Sequence, residues 1–319
     1  MSLAVVGAGA FGTALAIVQA ARGPVTLLAR SADHAEAMRR TRENAQRLPG
    51  VPLPEAVRPT ADSAALADAR IVLFAVPTQS LGEVARAMPV APDAALVACC
   101  KGIDLATGRG PSRVLAEACP GRTVAVLTGP SFADDIARGL PTGLTIATAE
   151  EAEAIRLQER LTTGTFRLYR TTDVTGAELG GALKNVIAIA CGAVIGAGYG
   201  VSARATILTR GFGEMRTLAE HLGARPATLL GLSGLGDLTL TCTSDLSRNY
   251  RHGRALGSGA PVDQSATVEG VKTARAAATL AAKAGLDLPI LRMTADFAEG
   301  RIGPEDALQS LLARDLKAE

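Results

Sequence analysis

The chain has 319 residues, 48% hydrophobic and 20% charged, with a formal net charge of +2. That length exceeds what a single core usually organises, so two domains are expected, and so small a charge gives no electrostatic footprint for nucleic acid or an anionic membrane surface. Five cysteines without CxxC spacing and three scattered histidines (His34, His221, His252) argue against a disulfide framework and against a metal site, and fit free thiols in a reducing cytoplasm.

The opening MSLAVVGAG runs straight into a β-rich stretch, without the basic region, apolar run and cleavage site of a secretion signal. A cytoplasmic protein is expected. In LAVVGAGAFGTALAIVQAAR, Gly7, Gly9 and Gly12 take GxGxxG spacing between a strand and a helix. In that context Gly7 permits a tight turn, Gly9 lets a pyrophosphate approach the backbone, and Gly12 lets the helix pack close to the strand. The helix N-terminus then offers N–H groups to the phosphates. About twenty residues on, the second strand ends at Arg30 in LLARSADH. An acid there would take a ribose hydroxyl; a guanidinium suits a 2′-phosphate. The cofactor expected is NADP(H), with NAD(H) as a second substrate of the same site.

β-rich runs follow at 71–76, 95–100, 123–128, 143–148 and 165–170, with helix-compatible stretches between most of them, including ADHAEAMRRTRENAQRL over 32–48. Alternation of this kind predicts a Rossmann-type, doubly wound parallel sheet with helices on both faces. The segment 49–60 holds four prolines and reads as a loop. In such a sheet ligands gather at the carboxyl ends of the strands. There the chain places PTQS, then Lys101, then Gly129 and Ser131 of GPSFA. Lys101 would set a cation at that edge, and GPSFA would offer backbone N–H groups and a hydroxyl.

After about Thr171 the β-rich runs stop and the sequence turns Ala- and Gly-rich with helical spacing. Ala favours helix. A dinucleotide-binding domain over 1–170 and an all-helical domain over 171–319 are expected. A helix over 172–195 carries Lys184 in ELGGALKNVIAIACGAVIGAG, and Gly180, Gly181, Ile187 and Ala188, with Ala177 a turn further, share its face, four of the five being Gly or Ala. The small residues are expected to hollow out a pocket around the ammonium. Desolvation there would lower its pKa into the range for proton transfer near neutrality. Further on, Asp237 lies in a Gly- and Leu-rich setting that suits orienting an ammonium or capping a helix; Ser247 follows, and then Arg248 with Asn249, a pair that suits bidentate phosphate recognition. Glu269 falls in a loop or helix start, TVEGVKTA.

GAGAFGTALA, AVPTQS, CKGI, GPSFA, ELGGALKNVIAIA, ARATILTRG, GLGDLTLTC and SRNYRHG occur in order over roughly residues 3 to 300. In this the chain resembles the bacterial-type NAD(P)-dependent glycerol-3-phosphate dehydrogenases. The resemblance implies interconversion of dihydroxyacetone phosphate and sn-glycerol 3-phosphate, a phospholipid precursor, by a cytoplasmic homodimer. It implies Lys184 as general acid/base, with Lys101, Gly129, Ser131, Asp237, Ser247, Arg248 and Asn249 around a small phosphorylated substrate. Phe11, Arg30, Lys101, Ala133, Arg248 and Glu269 would join the glycine loop in touching the cofactor. Ala10 and Phe11 depart from the family's common Ser and Trp, which bears on cofactor affinity.

A β-hydroxyacid dehydrogenase of similar two-domain architecture is the nearest alternative. Those enzymes usually carry an Asn four residues after the lysine, where this chain has Ala188. A cofactor-binding regulator without turnover would have no need of Lys184 and Asp237 in apolar surroundings.

Overall fold

A computed structural model describes residues 2–263 and 268–307; the outermost parts of the two expected domains, Met1 and residues 308–319, lie outside the described residues. The first half alternates as β1 (Leu3–Val6), α1 (Ala10–Gln19), β2 (Val25–Leu28), α2 (Ala32–Thr41), β3 (Glu43–Asn44), β4 (Leu48–Pro52), β5 (Val57–Thr60) and β6 (Ile71–Phe74). It continues with α3 (Thr78–Ala87), β7 (Ala95–Ala98), α4 (Pro111–Ala118), β8 (Val124–Thr128), α5 (Ala133–Ala137), β9 (Thr142–Ala147), α6 (Glu151–Leu161) and β10 (Phe166–Thr171). Eight strands form one sheet in the order β10-β9-β8-β7-β6-β1-β2-β5. The order reverses on either side of β1, which is where a doubly wound sheet opens its ligand crevice. Fully buried apolar runs such as IVLF in β6 and ALVA in β7 explain the double covering by helices.

Three expectations need correction. The sheet is not wholly parallel, because β9 pairs antiparallel with β8 and carries β10 with it. The helix expected over 32–48 stops at Thr41, where Arg42 enters the left-handed region (φ 51°) and its guanidinium bonds the carbonyls of Leu53 and Val57, each at 3.1 Å. Asn44, buried, then donates to Ala8 O (3.0 Å) and Thr13 Oγ1 (2.7 Å), pinning the β3–β4 hairpin beneath the glycine loop. These side-chain bonds over-ride a helix-favouring composition. The supposed loop at 49–60 contains most of β4 and all of β5; Pro59 is tolerated because β5 is the sheet edge.

From Val174 onward the described chain is helical: α7 (Val174–Gly196), α8 (Gly200–His221), α9 (Pro226–Leu229), α10 (Asp237–Cys242), α11 (Arg248–Ser258), α12 (Glu269–Lys283) and α13 (Pro289–Ala298), with a π-helical turn at Leu232–Gly236. By length and composition α7 alone among the described helices could cross a membrane, with a mean hydropathy of 1.7 in its most apolar window. It is the core helix of this unit, surrounded by α8, α10, α11, α12 and α13. Against α11 it packs backbone to backbone. A Cβ at Gly192 would lie 2.1 Å from Tyr250 O, and one at Gly253 would lie 2.0 Å from Ile189 O.

Candidate active site

The carboxyl ends of β7 and β8 meet α7 and α10, and there two lysines converge on one carboxylate. Asp237, 0% exposed, is the first residue of α10. Its Oδ2 accepts from Lys101 Nζ at 2.5 Å and its Oδ1 accepts from Lys184 Nζ. Lys101 also donates to Gly129 O (3.0 Å), and Lys184 to Thr241 Oγ1 (2.7 Å). Lys184 is 6% exposed. Burial brings its pKa down to about 8; the Asp237 carboxylate pulls upward, and the neighbouring Lys101 charge pushes down again. A buried ammonium near neutrality that shares its counter-ion with a second cation is poised to give up a proton.

The small residues of α7 serve another purpose than the one expected. A Cβ at Gly180 would lie 2.5 Å from Ser233 O, and one at Gly181 would lie 2.5 Å from Thr128 Oγ1. They let the π-helical turn and the end of β8 approach α7, so that Asp237 and Lys101 reach Lys184; they do not hollow out a pocket.

The other expected substrate residues lie on neighbouring elements. Gly129, at φ 139°, turns the chain out of β8, and Ser131 Oγ donates to Gly129 O at 3.2 Å. Ser247 is the N-cap of α11, accepting from Tyr250 N at 3.2 Å. Asn249 ties three helices together. Its amide donates to Asn185 Oδ1 (2.9 Å) and its carbonyl accepts from Gly270 N (3.0 Å). Arg248, beside it, is exposed; its charge lowers the pKa of Glu269, which burial raises.

The residues of the glycine loop fit a dinucleotide. Gly7 has φ 107° and donates to Leu28 O at 3.0 Å, and a Cβ there would lie 2.7 Å from Ala75 O. A Cβ at Gly12 would lie 1.9 Å from Gly7 O, which is why the helix can start so close to the strand. Gly9 faces open space, and α1 begins without a side-chain cap or an acid in its first turn. Its free N–H groups and positive dipole end are open to an anion. Phe11 packs partly buried against the sheet core, Arg30 is exposed just past β2, and Ala133 opens α5 against α1.

Two family models match the chain: the N-terminus of NAD-dependent glycerol-3-phosphate dehydrogenase over residues 2–154, and the C-terminus of the same enzyme over residues 173–309. The chain belongs to the NAD-dependent glycerol-3-phosphate dehydrogenase family. Within that family it is similar to the glycerol-3-phosphate dehydrogenase [NAD(P)+] of Paracoccus denitrificans, at 60% identity over 100% of both chains. The corresponding protein of Cereibacter sphaeroides is 58% identical over 99% of this chain and 100% of its own. The solved glycerol-3-phosphate dehydrogenase of Coxiella burnetii superposes with a TM-score of 0.92 at 35% identity, covering 98% of this chain and 99% of its own.

Sequence reasoning passed over Thr241 and left Asn185 without a role. Thr241 was within reach, since it follows Asp237 by one helical turn in GLGDLTLTC and so shares its face. Asn185 gave no such signal; its partner Asn249 is far away in the chain.

Proposed function

We propose that this member of the family interconverts dihydroxyacetone phosphate and sn-glycerol 3-phosphate with NAD(P)H, using Lys184 as the general acid/base. The observation that carries the reading is the Lys101–Asp237–Lys184 cluster, buried at the strand ends beside a glycine loop that fits a dinucleotide. The bound nicotinamide supplies or accepts the hydride. In reduction, Lys184 gives its proton to the substrate oxygen as negative charge develops there. Asp237 keeps both ammonium groups oriented, and Lys101 adds a second positive charge close to the developing alkoxide. When the proton leaves Lys184, the Lys101–Asp237 pair remains. In oxidation the neutral amine takes the proton back.

Arg248, with Asn249 beside it, anchors the substrate phosphate from the start of α11, and Gly129 and Ser131 border the substrate from the β8 side. Binding at the phosphate fixes the distant carbonyl for reaction. Gly7, Gly9, Phe11, Gly12, Arg30, Lys101, Ala133, Arg248 and Glu269 form the cofactor side. The exposed Arg30 guanidinium supports a preference for NADP(H) over NAD(H). The chain divides for this work into a dinucleotide-binding domain over 1–170 and a helical domain over 171–319. A cytoplasmic homodimer supplying glycerol phosphate for phospholipid synthesis is the setting that fits best. Exposed Val201, Leu230 and Leu246 offer apolar surface to a second copy.

The test follows the absorbance of reduced cofactor, NADPH and NADH side by side, with dihydroxyacetone phosphate and then with an unphosphorylated β-keto acid. Consumption only with the phosphorylated ketone is expected. Turnover of the keto acid instead would give this family member the activity of a β-hydroxyacid dehydrogenase and overturn the substrate reading.

A further inference from the structure

Glu178 is a carboxylate that this chemistry does not use. It stands on α7, six residues before Lys184, and is half-buried. Its Oε1 accepts from the Ser112 backbone N–H and its Oε2 accepts from the Ser112 hydroxyl at 2.8 Å. Both donors belong to the first turn of α4, in the sheet-bearing half. That turn has no cap of its own: Gly110 has no side chain, Pro111 has no N–H, and the turn contains no acid. A helix start leaves unpaired donors and a positive dipole end. Glu178 provides both acceptor and charge from the other half of the molecule. Gly110 is fitted to it, since a Cβ there would lie 2.6 Å from Glu178 Oε2.

The loop that ends at Gly110 begins at Lys101. Its middle is clipped to α3, where Gln79 donates to Ile103 O (2.9 Å) and accepts from Leu105 N (3.1 Å). Glu178 therefore holds the far end of the loop that starts with one site lysine, and its own helix carries the other.

We propose that Glu178 is a positioning residue, which by gripping the start of α4 fixes α7 against the Lys101 loop and so sets how the two lysines meet Asp237. This rests on the reading of Lys101, Asp237 and Lys184 as the reaction centre. The grip depends on charge. Burial raises the Glu178 pKa to about 7, against the downward pull of the Ser112 donors. The Cys100 thiol on the sheet side is pushed up to about 12 and is uncharged. Arg109 and Arg113 of the α4 side both pair with Glu117. For stability the sign is the reverse of the grip. An acid whose folded pKa is raised contributes fully below its unfolded pKa, and that contribution is lost as pH rises through about 7. Ionised Glu178 holds α4 more firmly and costs more to bury.

This opposition makes the test. Glu178→Gln keeps an acceptor for the Ser112 N–H and removes the charge. At pH 8 its Tm should equal or exceed that of the parent and its NADPH affinity should be unchanged, while kcat with dihydroxyacetone phosphate falls roughly tenfold. The acid limb of kcat near pH 7 should disappear. Gly110→Ala should lower kcat in the parent and do little in a Glu178→Ala background, where its clash is gone. If Glu178→Gln does not fold, Ser112→Ala must lower kcat over the same pH range. A parental kcat with the acid limb intact overturns the proposal, as does an equal cost of Gly110→Ala in both backgrounds. Lys184→Met is run alongside: if it turns over normally, the site reading itself fails, whereas an inactive Lys184→Met beside a normal Glu178→Gln removes this inference alone.

Discussion

At the scale of single residues, Lys184 is held between two opposing effects. Burial favours its neutral form and Asp237 favours its charge, leaving the pKa at about 8. kcat/KM for carbonyl reduction should then rise through about pH 7 as Glu178 ionises and fall above about 8, as the acid is lost. In the oxidative direction it should rise through the same pH. A pH profile in both directions checks this, and a limb at the ordinary lysine value would refute it. Because the folded pKa is depressed, charging Lys184 costs stability below about pH 8, and that cost is relieved as pH rises toward the unfolded value. Lys184→Met keeps the length and loses the ammonium. Turnover should fall by roughly 10²–10⁴, the usual range for removing a general acid, with NADPH binding retained. Arg30→Asp tests the cofactor side. A charge-assisted contact to phosphate contributes about 1.5–3 kcal/mol, so NADPH should weaken roughly tenfold to hundredfold and NADH much less. Equal weakening of both would take the selectivity away from Arg30.

At the scale of elements, the spacing of α7 and α11 is set by glycines on both helices. Gly192 and Gly196 meet the Tyr250 and Arg254 carbonyls, while Gly253 and Gly257 meet those of Ile189 and Ala193. A methyl at any of them would sit within 2.2 Å of a backbone oxygen, which no rotamer change relieves. Gly253→Ala should therefore destabilise by about 3 kcal/mol, read as a drop in denaturation midpoint at constant slope. The same spacing places Arg248 and Asn249, at the start of α11, relative to Lys184 on α7, so the survivors should also show a raised KM for the phosphorylated ketone. An unchanged midpoint would mean that the two helices can part without loss.

At the scale of the whole molecule, the two halves share apolar contacts, with Ala177 of α7 in a sheet-side core and Ile103 in the helical one, and polar contacts join them as well: Lys101 to Asp237 and Ser112 to Glu178. These ties predict one cooperative unfolding transition. NADPH at about a hundredfold excess over its Kd should raise the whole transition by ~2.7 kcal/mol. Two calorimetric peaks, only one of them moved by cofactor, would show that the halves unfold separately. The sequence by itself determined what depends on neighbours in the chain. The glycine loop was legible because Gly7, Gly9 and Gly12 act within one turn between a strand and a helix. The helical half was legible because its apolar residues recur with helical period, and Lys184 because an ammonium stands out in an apolar run. Only the tertiary structure decided what depends on residues far apart. It reversed β9 and β10, since strand direction is chosen by the partner strand. It ended α2 at Arg42, whose guanidinium finds carbonyls eleven and fifteen residues away. It gave Lys184 its counter-ion from Asp237, fifty-three residues on, and gave the α7 glycines their use as contact surfaces. Local pattern records propensity and period, whereas burial, charge pairing and close approach exist only once the distant segments have met.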